Sequence, residues 1–324
     1  MKEKVFMTRL VAGNAVDRIA ASCALDLWPG ENPPSREVIL ERIRGCSGLF
    51  SLLTDTIDAT VMDAAGGGFK VISNYAVGFD NIDVAAATHR GISVGNTPGV
   101  LTETTADLAF ALLMSAARRI VEGVDFVRAG GFHSWSPTML LGCDIHGSTL
   151  GILGMGRIGR AMARRGSGFG MRVIYSSPSH LEASPMYKAQ RVSFEELIER
   201  ADFLSLHVPL MEETRHLINR ETLALMKPTA VLINTARGAV VDHSALHAAL
   251  VERQIAYAAL DVTEPEPLPA GHPLLGLANC IVVPHLGSGS LATRIRMANM
   301  AADNLIAGLR GDRLPNSVNP EVYK

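Results

Sequence analysis

"GILGMGRIGRAM", residues Gly151–Met162, decides the fold. Gly154, Gly156 and Gly159 form a G-x-G-x-x-G turn. The apolar "TLGIL" before it reads as a strand, and Ile158, Met162 and Ala163 give the following segment a helical apolar face. A second apolar run, "RVIY" at 172–175, completes a β-α-β unit. In such a unit the first glycine permits the tight turn. The second lets a pyrophosphate approach the backbone, and the third lets helix and strand pack closely. The N–H groups that open the helix, here around Arg157 and Ile158, then face the phosphates. A bare glycine turn also occurs for purely structural reasons, but the strand, helix and second strand around this one make it a dinucleotide site.

Working outward, short apolar runs alternate with helical patterns. "KVFMTRL", "LFSLLTD", "FKVISNYAVG" and "GISVGNTP" read as strands before the turn. "MRVIYSS", "ADFLSLHV", "AVLINTA", "YAALDV" and "CIVVPH" read as strands after it. Buried β runs separated by helices imply parallel sheets covered on both faces. "LTETTADLAFALLMSAARRIV" predicts one helix, with Thr102 as N-cap and Leu108, Leu112, Ala116 and Ile120 on its buried face. "SFEE" at 193–196 matches a capping box, and Asp242 is placed to cap "HSALHAALVERQ". Because the glycine turn sits in mid-chain, the first hundred residues must form a separate α/β lobe. The last helix, "ATRIRMANMAADNLIAGL", is expected to return to that lobe, with chemistry expected in a cleft between the lobes.

Composition excludes other classes. The 324 residues are 48% hydrophobic and 19% charged, as in an ordered globular protein. Thirty Lys and Arg oppose 32 Asp and Glu for a net charge of −2, so no electrostatic footprint for nucleic acid exists. Cys23, Cys46, Cys143 and Cys280 are scattered without C-x-x-C spacing, which argues against a zinc site or disulfide framework and fits a reducing cytosol. "MKEKVFMTRLV" lacks the longer apolar core of a signal peptide, and no run is long enough for a membrane span. A soluble cytoplasmic protein is expected.

Three segments that end predicted strands bring chemistry: "NTARG" (234–238), "LDVTEPEP" (260–267) and "PHLGS" (284–288). Strand ends are where open α/β sheets place ligands. Arg237 supplies a guanidinium able to hold a carboxylate or polarise a carbonyl. His285 supplies a proton donor, and Asp261, Glu264 or Glu266 supplies a carboxylate to orient the ring. That set suits reduction of a 2-oxo acid. His243 and His247 have the spacing of a zinc pair, but the intervening "SAL" lacks the Glu of H-E-x-x-H, so no metal is expected. His207 reads as a strand-end residue near the adenine.

"NYAVGFDNIDV", "GNTPGVLTETTADLAFALLM", "LGILGMGRIG", "NTARGAVVD", "LDVTEPEPLPAGHPLL" and "VVPHLGS" occur in the order found in one family. By them the chain resembles the D-isomer-specific 2-hydroxyacid dehydrogenases nearly end to end. "PLPAGHPLLGLANCIVVPH" and "NLIAGLRGDRLP" are most similar to its glyoxylate/hydroxypyruvate reductase branch. The resemblance implies an α/β protein of two doubly wound parallel-sheet domains. A Rossmann cofactor domain (101–287) is inserted into a flavodoxin-like substrate domain (1–100 and 288–324). It assigns Arg237, Glu266 and His285 as catalytic, leaving Glu264 a turn residue. Leu53, Val77, Gly78, Arg237 and Ser288 are assigned to the substrate. Thr105, Pro209, Thr235, Asp261, His285 and Gly287 join the glycine turn around the cofactor. The segment 123–147 resembles an arm that embraces a second subunit, implying a homodimer. Trp135 then either reaches the partner's active site or anchors the interface.

Strand two of the β-α-β unit ends in Ser176, Ser177, Pro178 and Ser179, where an Asp or Glu usually grips the adenosine ribose. Ser177 stands at the ribose-binding position of the family. An Asp there repels a 2′-phosphate, whereas Ser offers a hydroxyl. NADP(H) is therefore expected to be preferred and NAD(H) tolerated, although no Arg follows; Ser179 and His180 stand there instead. The alternative of another class is a dinucleotide-sensing, corepressor-like binding protein on the same fold.

Overall fold

The computed structural model describes residues 2–178 and 188–324. Two compact units emerge: Met1–Leu101 with Gly289–Lys324, and Thr102–Ser288. Leu101 and Ser288 thus each fall on the other side of the expected crossing.

The first unit is built on β1 (Lys4–Met7), β2 (Ala24–Leu27), β3 (Gly48–Ser51), β4 (Val71–Asn74) and β5 (Ser93–Gly95). They lie parallel in the order β2-β1-β3-β4-β5, the flavodoxin-like winding. Its helices are α1 (Ala15–Ser22), α2 (Arg36–Arg42), α3 (Ala59–Ala65), α4 (Val84–His89) and α11 (Leu291–Arg310). Phe6, Leu49, Ile72 and Val94 pack on Ile39, Val61, Met62 and Ala87 of α2–α4. Helix α11, predicted to return here, packs against β3, β4 and α1. Its approach is close: a Cβ on Gly308 lies 2.6 Å from the Val71 side chain.

The second unit holds β6 (Thr149–Leu153), β7 (Arg172–Ser176), β8 (Ala189–Arg191), β9 (Phe203–Leu206), β10 (Val231–Asn234), β11 (Tyr257–Leu260) and β12 (Cys280–Val282). All pairs are parallel, in the order β12-β11-β10-β9-β6-β7-β8, which is the Rossmann winding with one strand added. Its helices are α5 (Thr102–Ala117), α6 (Ile120–Arg128), α7 (Arg157–Gly168), α8 (Phe194–Arg200), α9 (Arg220–Leu225) and α10 (His243–Val251). Strand side chains alternate between two cores. Ile152, Phe203, Val231 and Ile233 meet α5 and α7, while Leu204, Leu232 and Leu260 meet α8, α9 and α10. This two-faced burial explains why the strands read as unbroken apolar runs.

Local expectations are partly revised. Ser193 and Glu196 close the capping box, and Asp242 accepts from the N–H groups of Ser244 and Ala245. Thr102 is not the N-cap but the first residue of α5. The single helix expected through Ile120 breaks after Ala117, where Cys143 N–H takes the Ala117 carbonyl and Arg119 turns left-handed (φ 51°). Ile120 is consequently exposed rather than part of the buried face.

Candidate active site

The glycine turn lies where β6 has β7 on one side and β9 on the other, the point at which the winding reverses. Each glycine has a steric reason. Gly154 has φ +93°, and a Cβ there meets the His207 carbonyl oxygen at 2.6 Å. A Cβ on Gly159 meets the Gly154 oxygen at 2.2 Å, so helix and turn touch backbone to backbone. A Cβ on Gly156 meets nothing within 4 Å, so the residue that caps α7 faces open space. The N–H groups of Arg157, Ile158 and Gly159 have no acceptor earlier in the helix, and no side chain caps them. Thr235 Oγ1, at the end of β10, is buried with no hydrogen-bond partner among the described residues. Open space, unpaired donors and an orphaned hydroxyl fit a dinucleotide.

At the other strand ends the structure joins the predicted chemistry. His285 Nδ1 and Glu266 Oε1 are 2.6 Å apart, and Glu266 Oε2 accepts from Thr263 N–H at 3.2 Å. Burial pushes the Glu266 carboxyl up. The His285 hydrogen bond and charge, the Thr263 N–H and the Arg237 charge outweigh this and hold it below the usual carboxylate range. His285 itself sits in the left-handed region (φ 52°), its N–H shared between the carbonyls of Asp261 and Val283. Asp261 explains that conformation. Its buried carboxylate accepts from the N–H groups of Leu286 and Gly287, at 2.5 and 2.8 Å, clamping the chain just after His285. Burial raises the Asp261 carboxyl above its ordinary range. Thr105 completes the corner: its side chain stands 3.4 Å from where a Gly287 Cβ would be.

Arg237 is held by residues that sequence reasoning passed over. Fully buried Asn234 donates from Nδ2 to the Arg237 carbonyl (2.8 Å) and accepts from Ala236 N–H (3.0 Å), folding "NTARG" into a fixed turn. Gly238 presses on the neighbouring loop so closely that a Cβ lies 2.0 Å from Thr263 C and O. The glycine after the arginine is therefore a docking point between the Arg237 and Glu266 loops. Glu264, expected to be only a turn residue, is an anchor: its carboxylate binds Arg215 (2.6 Å) and His216 (3.0 Å). His243, set aside as a metal ligand, places Nδ1 against the Glu264 backbone at 3.0–3.2 Å.

His207 directly follows β9, with Nε2 2.9 Å from Ser205 Oγ; burial pushes its imidazole down to about 4. Pro209 follows it, its carbonyl accepting from Thr214 Oγ1. Ser288 is buried, and Trp135 is 75% exposed. Ser176 closes β7 and accepts from Gly154 N–H at 2.9 Å, linking the glycine turn to the "SSPS" run. Ser179 and His180 lie outside the described residues.

In the first unit, Leu53 follows β3, and Val77 and Gly78 follow β4. An asparagine network joins these loops. Asn74 Nδ2 donates to Gly78 O (2.9 Å), and Asn81 Nδ2 donates to Leu52 O and Asp55 O (3.0 and 2.9 Å). Asn96 Nδ2 donates to Val77 O at 2.8 Å. A trans peptide opposes its C=O and N–H, so fixing Val77 O also fixes the direction of Gly78 N–H. Asp55 holds the Leu53 loop from inside, accepting from Leu52 N–H and Thr8 Oγ1.

The family model described as D-isomer specific 2-hydroxyacid dehydrogenase, NAD binding domain, matches residues 110–287. The chain belongs to the D-isomer-specific 2-hydroxyacid dehydrogenases and is an oxidoreductase of that type, with a dinucleotide-binding domain. Within the family it is similar to a glyoxylate reductase of Korarchaeum cryptofilum, 54% identical over 100% of this chain and 98% of the relative. A solved structure from Thermus thermophilus is 48% identical with TM-score 0.91, covering 97% of this chain and 99% of that one. An NADPH-dependent glyoxylate/hydroxypyruvate reductase from Sinorhizobium meliloti, solved with NADP and malonate, is 30% identical with TM-score 0.85. That match covers 98% of this chain and 97% of the other.

Proposed function

We propose that the protein reduces glyoxylate, hydroxypyruvate or a similar small 2-oxo acid to the D-2-hydroxy acid, with NADPH preferred over NADH. The observation that carries this reading is the His285–Glu266 pair at 2.6 Å, on strand ends that also hold Arg237. The dinucleotide would lie on Gly154, Gly156, Arg157, Ile158 and Gly159, with Thr105, Pro209, Thr235, Asp261 and Gly287 around it. When bound and reduced, it supplies the hydride that adds to the substrate's C2. Glu266 accepts from His285 Nδ1, which leaves Nε2 as the nitrogen that delivers a proton to the substrate's carbonyl oxygen. Arg237 binds the carboxylate and polarises the carbonyl with a forked set of donors. By the family resemblance, the backbone N–H groups at Val77 and Gly78 are assigned to the substrate, as are Leu53 and Ser288.

NADPH preference rests on Ser177, which puts a hydroxyl where an acidic side chain would repel a 2′-phosphate. The 30% identical reductase from Sinorhizobium meliloti is described as NADPH-dependent and supports this assignment. A homodimer is supported by the exposed apolar side chains of Val121, Val124, Val127, Phe132, Trp135 and Leu141, on or just after α6. Free thiols, with Cys143 exposed, suit a reducing cytoplasm, and no helix among the described residues is long and apolar enough to cross a membrane. The sensing alternative is not favoured, since the 54% identical relative is a reductase. Loss of NADPH absorbance on adding glyoxylate tests the activity; no loss with glyoxylate, hydroxypyruvate or other small 2-oxo acids overturns it.

A further inference from the structure

An NADPH-binding enzyme of this winding needs a cation near the end of its second strand, and "SSPS" contains none. The fold brings one from further along the chain. Edge strand β8 runs parallel to β7 with Arg191 opposite Tyr175, level with the last turn of backbone before Ser177. Arg191 Nη2 donates to Ser177 O at 2.9 Å and Pro178 O at 3.4 Å. These contacts occupy one guanidinium nitrogen. Among the described residues no carboxylate pairs with Arg191, and its side chain is exposed. The same strand end is fastened to the phosphate turn through Gly154 N–H and Ser176 O.

We propose that Arg191 is the specificity-determining cation of the cofactor site, recognising the 2′-phosphate of NADPH beside the Ser177 hydroxyl. The inference rests on the NADPH preference proposed above and names the residue that produces it. Nη1 and Nε are left to form charge-assisted hydrogen bonds to a phosphate dianion, while Nη2 stays on the Ser177 and Pro178 carbonyls. Fourteen positions separate Arg191 from Ser177 in sequence. Reading the residues just after the strand therefore misses it.

Calorimetric titration of the apoprotein with adenosine 2′,5′-bisphosphate and with AMP tests this, using wild type, Arg191→Ala and Arg191→Gln. Gln keeps amide donors for the two carbonyls but carries no charge. Wild type is expected to bind the bisphosphate about tenfold or more tightly than AMP, and both variants to lose that margin while AMP affinity stays within about threefold. The NADPH-to-NADH ratio of kcat/KM with glyoxylate should fall in parallel. Wild type without the margin overturns the NADPH reading and this inference together. A margin retained by both variants, or equal loss for both nucleotides, overturns the role of Arg191 alone.

Discussion

His285 holds a backbone conformation that non-glycine residues seldom adopt (φ 52°). Asp261 makes it tenable by taking the next two N–H groups. Asp261→Asn leaves one of these buried donors unpaired, and should destabilise the fold by about 1–3 kcal/mol in denaturant titration. An unchanged midpoint contradicts the clamp. Glu266 gives a pH signature. Its folded pKa lies below the ordinary 4.5. The stability it contributes is fully present above 4.5 and is lost as pH falls through the lowered folded value. The difference in Tm between wild type and Glu266→Gln should therefore shrink on acidification. A difference constant with pH contradicts an ionised Glu266. At this scale Arg237 and His285 stood out in the sequence because each follows an apolar run, whereas the choice of Glu266 over Asp261 and Glu264 came from the family resemblance alone. Asn234 was not, since its role is a contact with its own turn that leaves no pattern in the sequence.

At the scale of elements, ten of the twelve strands among the described residues were legible because burial on both faces makes them continuous apolar runs. The two missed, β2 and β8, are edge strands with partly exposed, polar-bearing sequences "ALDL" and "AQR". That blind spot matters, because β8 carries Arg191. The break between α5 and α6 was hidden for a different reason: the Cys143 N–H that takes the Ala117 carbonyl comes from a distant part of the chain. Loop docking gives a prediction here. Gly238→Ala places a methyl 2.0 Å from Thr263 C and O, forcing the Arg237 and Glu266 loops apart. Since small misplacements of catalytic groups cost about 100-fold, kcat/KM should fall by roughly that factor while the protein still binds dinucleotide. Wild-type kinetics in this variant would remove the docking argument.

For the whole molecule, the mid-chain position of the glycine turn implied a separate α/β lobe before it, and the last helix implied a return to that lobe; the doubly wound form of both units came from the family resemblance. Both windings follow from which strand pairs with which. The α6 stripe was not legible as exposed, because its residues continue the helical spacing of α5. If that stripe seats a second copy, the wild type runs at about twice 34.6 kDa in light scattering, and Val127→Asp shifts it toward the single-chain mass. A wild type already at the single-chain mass contradicts the dimer.

The most direct test of the central claim compares wild type with His285→Ala in NADPH oxidation by glyoxylate, with NADPH binding measured separately by fluorescence. The variant is expected to lose about 100- to 10,000-fold in kcat while its NADPH affinity stays near that of wild type. Turnover unchanged in His285→Ala would contradict the assignment of His285 as the proton donor.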